Sequence, residues 1–228
     1  MMNISVLQCS SEELDGCMPQ LFDLINHSYD SQDRSIYGVE DLFESQRLLS
    51  HEQLIQELGK HGLVAVAWNP RDHDFNDRPE ESDNILAVAC LKPWRGKTVD
   101  LWAQQSMSKD IQNVKEVTAN DTEKVGQDWE VAICSSKNDP RYRKQGLITQ
   151  CVAALIEHLH VSRRYGYGED LREVSLWVTA LEGVGNVEYW QRRGFHRQGG
   201  PDIAPAGLWG AGRSFSVGTL KKTVTFSD

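Results

Sequence analysis

Long apolar runs are missing from this chain. No stretch approaches the ~20 consecutive apolar residues that span a bilayer. The first residues, MMNISVLQCSSEELDG, carry no basic region followed by an apolar core. Neither a membrane span nor an export signal is expected, which points to a soluble, cytoplasmic protein. Metal-ligand spacings are lacking as well: with no C-x-x-C and no H-E-x-x-H, no metal is expected. Positive charge is in the minority, 24 Lys and Arg against 33 Asp and Glu, for a net charge of −9. That balance argues against nucleic acid as the general partner. The five cysteines (Cys9, Cys17, Cys90, Cys134, Cys151) are odd in number and widely spaced, and read as reduced, buried thiols. Internal repeats and low-complexity linkers are absent, and 228 residues can bury a sizeable core. One domain, residues 1–228, is expected.

What is present centres on residues 129–160, WEVAICSSKNDPRYRKQGLITQCVAALIEHLH. Val131 to Cys134 is an apolar run too short for a helix and rich in strand formers. Ser135 to Pro140 is a turn cluster. Leu147, Val152, Leu155, Ile156 and Leu159 then recur at helical spacing. A strand, a turn and a helix in that order place free backbone N–H groups and the positive end of the helix dipole at one spot. Arg141, Arg143 and Lys144 flank it, and Gly146 lets a ligand approach the backbone. A phosphate or pyrophosphate suits this place.

Along the rest of the chain, Ile4 to Val6 reads as a strand. Ser10 or Ser11 caps a helix that fades near residues 26–28, and Ser50 caps a second helix ended by Gly62. Leu63 to Trp68 and Ile85 to Trp94 are strands joined by the polar loop 69–84, in which His73 and its aspartates read as solvated rather than metal-binding. Residues 95–128 form an insertion with one possible short helix. Val161 to Asp170 is a connection and Val174 to Thr179 a strand, so the central strand–helix–strand unit is a parallel crossover. Val187 to Arg193 is a short helix closed by Gly194. Pro201 to Gly212, rich in Gly, Pro and Ala, reads as a mobile loop, and Ser214 to Phe226 is the last strand.

Arg143-Lys144-Gln145-Gly146-Leu147-Ile148 resembles the acyl-CoA signature Q/R-x-x-G-x-G/A of the GNAT superfamily of N-acetyltransferases, with Ile148 where Gly or Ala is usual. Tyr189-Trp190-Gln191-Arg192-Arg193-Gly194-Phe195 is similar to that family's late motif, and the order of elements matches its topology. The resemblance implies an α/β fold: a mixed six- to seven-stranded sheet flanked by helices, with a V-shaped split between two parallel central strands. It implies acetyl-CoA or another acyl-CoA as co-substrate and an amine of a small molecule or peptide as acceptor, in a monomer or homodimer.

By that resemblance the pantetheine arm would add like a strand beside Ile133, Cys134 and Ser135. The pyrophosphate would sit on amides of Gln145, Gly146, Leu147, Ile148 and Thr149, with Arg141, Arg143 and Lys144 as cations. Asn186 and Trp190 would also meet the cofactor, Trp190 beside the arm and Tyr189 mainly in the core. Glu130 is the candidate base, placed by alternation on one face with Ala132 and Cys134; the alternative is a strand-end carboxylate facing water. Tyr189 is the candidate acid, since Trp190 stands where the family's tyrosine is usual and an indole supplies no proton at neutral pH. Cys134 reads as a small buried hydrophobe, and His158 and His160 as surface residues. Two other functions stay open: a CoA-binding protein with different chemistry, and a non-catalytic interaction module.

Overall fold

The structure is a computed structural model, and it describes residues 2–30, 46–69, 84–97, 99–100, 127–166 and 172–226. The polar loop 69–84 and the insertion 95–128 lie largely outside the described residues. Among the described residues eight strands form one sheet: β1 (Asn3–Gln8), β2 (Leu63–Trp68), β3 (Ile85–Pro93), β4 (Asp128–Ser136), β5 (Glu173–Leu181), β6 (His196–Arg197), β7 (Asp202–Ala204) and β8 (Phe215–Thr225). Their order is β1-β2-β3-β4-β5-β8-β6, with β7 also on β8. Every pairing is antiparallel except β4 with β5. The count is one more than the sequence suggests, because β7 forms where a loop is expected.

Alternation along the inner strands assigns each face its helices. Leu63, Ala65 and Ala67 of β2, with Ala87 and Ala89 of β3, pack beneath α3 (Leu147–Gly166), whose Leu147, Cys151, Leu155 and Leu159 complete that core. Alanines on the strands leave room for the helix to lie close to the sheet. Val64, Val66, Val88 and Cys90 point the other way, against α1 (Glu12–Asp30) and α2 (His51–Leu58). Burial on both faces explains why β2 and β3 read as continuous apolar runs.

Helix ends differ from expectation for local reasons. Ser50 caps α2 as expected, its Oγ accepting from the Gln53 amide at 3.3 Å, but Gly59 (φ 72°) ends that helix. Gly62 is needed for another reason: a Cβ there would sit 2.6 Å from Leu58 Cβ and 2.7 Å from Cys9 Sγ. α1 continues past Asn26, whose side chain accepts from the Leu48 amide at 2.9 Å and donates to the Leu48 carbonyl at 3.1 Å. This buried clasp holds residues 46–50 against the helix and turns a residue that usually weakens helices into an anchor. α3 runs through the expected connection to Gly166. His158 and His160 are half-buried rather than on the open surface, His160 stacked on Phe226 at 4.4 Å.

The segment 201–212 is not a plain loop. Ala204, Leu208 and Ala211 pack with Leu181, Phe215 and Val217 into a small separate core, tied by a Lys97–Asp202 ion pair of 2.9 Å.

Gly62→Ala should cost about 1–3 kcal/mol by overpacking, read as a lower urea midpoint at unchanged slope. Gly16 lies inside α1 with open space around it. Gly16→Ala should instead raise the midpoint, by up to about 1 kcal/mol of helix propensity.

Candidate functional site

β4 and β5 share register only at Asp128↔Ser175, Trp129↔Leu176 and Glu130↔Trp177. Past Glu130 they are no longer paired with each other. β4 stays on β3 as far as Ser136, and β5 stays on β8 as far as Leu181. Two strands held from behind thus turn backbone edges toward a gap, and such edges are obligatory hydrogen-bonding groups. The sheet is split from one end.

A bulge in β4 marks where the split opens. Its register on β3 passes from Leu91↔Val131 to Ala89↔Cys134, three steps of β4 against two of β3. The extra residue puts Ala132 and Ile133 together on the α1 face and sends Cys134 to the α3 face. Plain alternation grouped Glu130 with both Ala132 and Cys134; the bulge removes Cys134 from that set.

Beside the gap lies an open cavity of about 480 Å³. One wall is the end of β4, Cys134 to Ser136, with Lys137 and Asn138 after it. The floor is the turn Tyr142 to Lys144 with Gly146, Leu147 and Ile148. The far wall is Tyr189 and Arg193, which follow from α4 (Asn186–Gln191), and Ser28 of α1 closes one side. Among the described residues, four cations line it (Lys137, Arg143, Lys144 and Arg193), and no Asp or Glu does. In a chain of net charge −9, that sign reversal makes a local anion trap.

The floor is shaped by Asp139. Its carboxylate accepts from the Arg141 amide at 2.8 Å, and its carbonyl accepts from the Tyr142 and Arg143 amides at 3.0 and 3.1 Å. Arg141 folds back onto the same carboxylate, Nη2 to Oδ2 2.6 Å, and its hydrogen bonds, with a smaller part from its charge, hold Asp139 down to about 2. Arg141 therefore serves the turn and is not among the residues that line the cavity. Arg143 donates through Nε to the neutral Asn138 Oδ1 at 3.1 Å, which keeps its charge available. Lys144 (φ 63°) and Gly146 (φ 69°) are both left-handed. A Cβ on Gly146 would meet nothing within 4 Å. Its glycine is required by its backbone angle and not by crowding within the protein. The first helical bond of α3 joins the Gln150 amide to the Gly146 carbonyl at 3.0 Å. The amides of Leu147, Ile148 and Thr149 precede it and have no intrahelical acceptor.

The late motif is arranged in the reverse of the expected way. Trp190 is buried, edge-on to Phe195 at 5.1 Å, and belongs to the core rather than the cavity. Tyr189 lines the cavity. Burial raises its phenol above the ordinary value, opposed by a hydrogen bond with Thr149 and the charge of Arg193. Arg193 lies over the Tyr189 ring at 3.4 Å and donates through Nε to Thr149 Oγ1 at 2.9 Å, joining α4 to the first turn of α3.

Glu130 is buried, which excludes a strand-end residue facing water, and its Oε2 lies 3.3 Å from Lys92 Nζ. It marks the last paired position at the closed end of the split. Glu130, Ile133, Gln145, Thr149 and Asn186 are not among the cavity-lining residues. Sequence reasoning missed Ser28, Ser136, Lys137, Asn138, Tyr142 and Arg193. Lys137 and Asn138 could have been found from their place directly after the strand. Ser28 and Arg193 carry no linear signal.

The chain has the fold of the GNAT acetyltransferases. A probable acetyltransferase from Staphylococcus epidermidis superposes with a TM-score of 0.54 at 12% identity, covering 99% of this chain and 100% of that one. The ribosomal-protein-S18-alanine N-acetyltransferase from Escherichia coli gives 0.50 at 12%, over 100% and 97%. The NatC complex bound to Gag peptide and CoA gives 0.50 at 10%, over 98% and 99%. No protein-family model and no curated protein matches the sequence. Within this GNAT fold the helices that bear the late motif and the glycine turn face each other across the cavity. Among the described residues, no helix is long and apolar enough to cross a membrane and no His/Cys/Asp/Glu group could hold a metal.

Burial raises the Cys134 thiol far above its ordinary value, despite its place on the cavity wall. It should stay protonated at pH 8 and react with iodoacetamide far more slowly than a free cysteine. Mass spectrometry of intact protein with and without denaturant checks this, since unfolding should restore ordinary reactivity.

Proposed function

We propose that this protein transfers an acetyl or other acyl group from acyl-CoA to the amine of a small molecule or peptide, by direct attack in a ternary complex. The observation that carries the reading is the join between the split strands and a cavity whose charged lining residues, among those described, are all cations. An ordinary surface cleft needs only the second. A long ligand with an amide-bearing arm and a phosphate end fits both.

Acyl-CoA supplies the thioester. The edges of β4 and β5 hold the arm by strand addition. The turn amides with Arg143, Lys144 and Arg193 hold the phosphates through charge-assisted bonds. Burial of Cys134 keeps its thiol protonated, so it does not compete as a nucleophile. Glu130 accepts the proton of the attacking amine, directly or through water, with Lys92 beside it. Tyr189, the one phenol of the late motif on the cavity, holds a proton at neutral pH as any phenol does, burial raising its pKa further, and delivers it to the leaving thiolate. A second reading, CoA binding without acetyl transfer, has a specific observation in its favour: the Glu130 carboxylate is ion-paired and lies off the cavity.

Titration with CoA followed by a thiol-release assay on an amine panel separates the two. CoA should raise the melting temperature, by the equivalent of about 2.7 kcal/mol at a hundredfold excess over its dissociation constant. Arg143→Ala should shrink this shift and Arg141→Ala should leave it nearly unchanged. No shift at millimolar CoA would refute the acyl-CoA reading, while a shift without thiol release on any amine would favour the second.

Glu130→Gln should lower turnover with little change in CoA affinity, and the deficit should narrow as pH rises and the amine deprotonates unaided. Tyr189→Phe should lower turnover and spare affinity, whereas Trp190→Phe should act mainly on stability.

A further inference from the structure

Three contacts fix the Tyr189 side chain on the cavity wall. Trp190 meets its ring edge-on at 5.2 Å. The Arg193 guanidinium lies over the ring face, 3.4 Å from the centroid. The phenol is hydrogen-bonded to the Thr149 side chain. Thr149 Oγ1 in turn accepts from Arg193 Nε at 2.9 Å, and Arg193 Nη1 donates to the Tyr189 carbonyl at 2.9 Å. Phenol, hydroxyl and guanidinium thus close a ring of contacts between the first turn of α3 and the end of α4.

Spacing makes this clasp possible. Tyr189 and Arg193 stand four residues apart, so their side chains share one face of the helical turn. The Arg193 backbone is itself held, its amide donating to the Trp190 carbonyl at 2.9 Å and its carbonyl accepting from Lys222 Nζ at 3.0 Å. Thr149 is exposed, and Arg193 is only half-buried. Polar contacts in such surroundings add little to stability. The fold has small need of this clasp.

The hydrogen bonds run in one direction. Thr149 Oγ1 accepts from a cation, which leaves its own proton for the phenol oxygen. That sense favours a phenolate, and hydrogen bonds in series strengthen one another. The cation over the ring favours the same form by its charge. In the acyl transfer, the amine nitrogen bonds to the acyl carbon, the carbon–sulfur bond breaks and the sulfur takes the proton of Tyr189 Oη. The phenolate left behind regains a proton from water. Negative charge therefore appears on Tyr189 only during transfer, and Thr149 and Arg193 are already in place to meet it.

Resting on the acyl transfer proposed above, with Tyr189 as its acid, we infer that Thr149 and Arg193 are positioning residues that hold the phenol in the cavity and stabilise the phenolate it becomes. The Thr149 backbone amide is one of the N–H groups at the start of α3 without an intrahelical acceptor, while its hydroxyl serves the acid. One residue thus joins the phosphate end of the site to its proton donor. Arg193 spends Nε and one Nη1 hydrogen on the clasp and keeps its other N–H groups for an anion.

The test measures CoA affinity by calorimetric titration, and kcat by thiol release from saturating acetyl-CoA with the amine of the panel that turns over fastest. The variants are Thr149→Val, Thr149→Ser, Arg193→Met and Tyr189→Phe, with Thr149→Val and Arg193→Met also combined with Tyr189→Phe. Thr149→Val should lower kcat about three- to tenfold, as for loss of one hydrogen bond. It keeps the backbone amide, so CoA affinity should stay within about twofold of wild type. Thr149→Ser, which keeps the hydroxyl, should recover most of the rate. Arg193→Met should lower kcat about tenfold, part of what a positioned acid contributes, and weaken CoA binding as well. In the Tyr189→Phe background neither change should cost more than about a further twofold, because groups that act through one phenol are not additive. Full kcat in Thr149→Val, or the same fold-loss with and without the phenol, overturns the inference and leaves acyl transfer standing. Thr149→Ser as slow as Thr149→Val overturns it in the same way. Unchanged kcat in Tyr189→Phe removes the acid and this inference but not the transfer. A wild type that binds CoA and releases no thiol on any amine overturns the transfer and this inference together.

Discussion

The loss of pairing between β4 and β5 beyond Glu130 is the constraint on which the rest of the structure turns. An unpaired strand edge inside a sheet is expensive wherever its backbone groups lose water without gaining another partner. The fold tolerates the gap because both strands are secured from behind, β4 on β3 and β5 on β8 over nine register positions. The split is therefore bordered by paired strands and is not a frayed end. The bulge at Ala132–Ile133 supplies the local bend and lets β4 diverge from β5 without leaving β3.

Electrostatics and backbone geometry act at the same place for different reasons. The turn from Lys137 to Gly146 is built by Asp139, a carboxylate held outside the cavity by Arg141. That pairing spends one cation of the basic cluster and leaves the others facing inward. A cluster of basic residues in a sequence thus divides into those that build a turn and those that present charge. Only the hydrogen-bond partners tell them apart.

Much of this was legible in the sequence because period and composition are local properties. Leu63–Trp68 reads as a strand because both its faces are apolar, and the structure has those same bounds. The strand–turn–helix unit around Gly146 was legible because a positive-φ glycine and a capped helix leave marks in a few adjacent residues. The cysteines were also read correctly as free thiols, and four of the five are buried. What failed depends on register and on rolling of helices, which are not local. A bulge shifts one residue and reverses every side chain after it, which is why Cys134 left the face of Glu130. The roll of α4 decides whether Tyr189 or Trp190 meets the cavity, and Phe195 sets it by holding Trp190 in the core. The segment 201–212 is dense in residues that usually mark loops, yet Leu208 and Ala211 find apolar partners on β5 and β8.

Lys144 shows how this chain divides stability from recognition within one residue. Its φ of 63° is the conformation that glycine adopts without strain. A side chain there costs about 1–2 kcal/mol relative to the right-handed region. Glycine would serve the turn better, and the neighbouring position that needs the same geometry does use it. Keeping a lysine at this angle makes sense only for what lies beyond its Cβ, a flexible cation on the cavity wall that has no acidic partner among the described residues. The turn is thus held in a shape slightly above its own minimum, and charge at that point is what it gains in exchange. Relaxed to glycine, the same backbone would be a better loop and a poorer receptor.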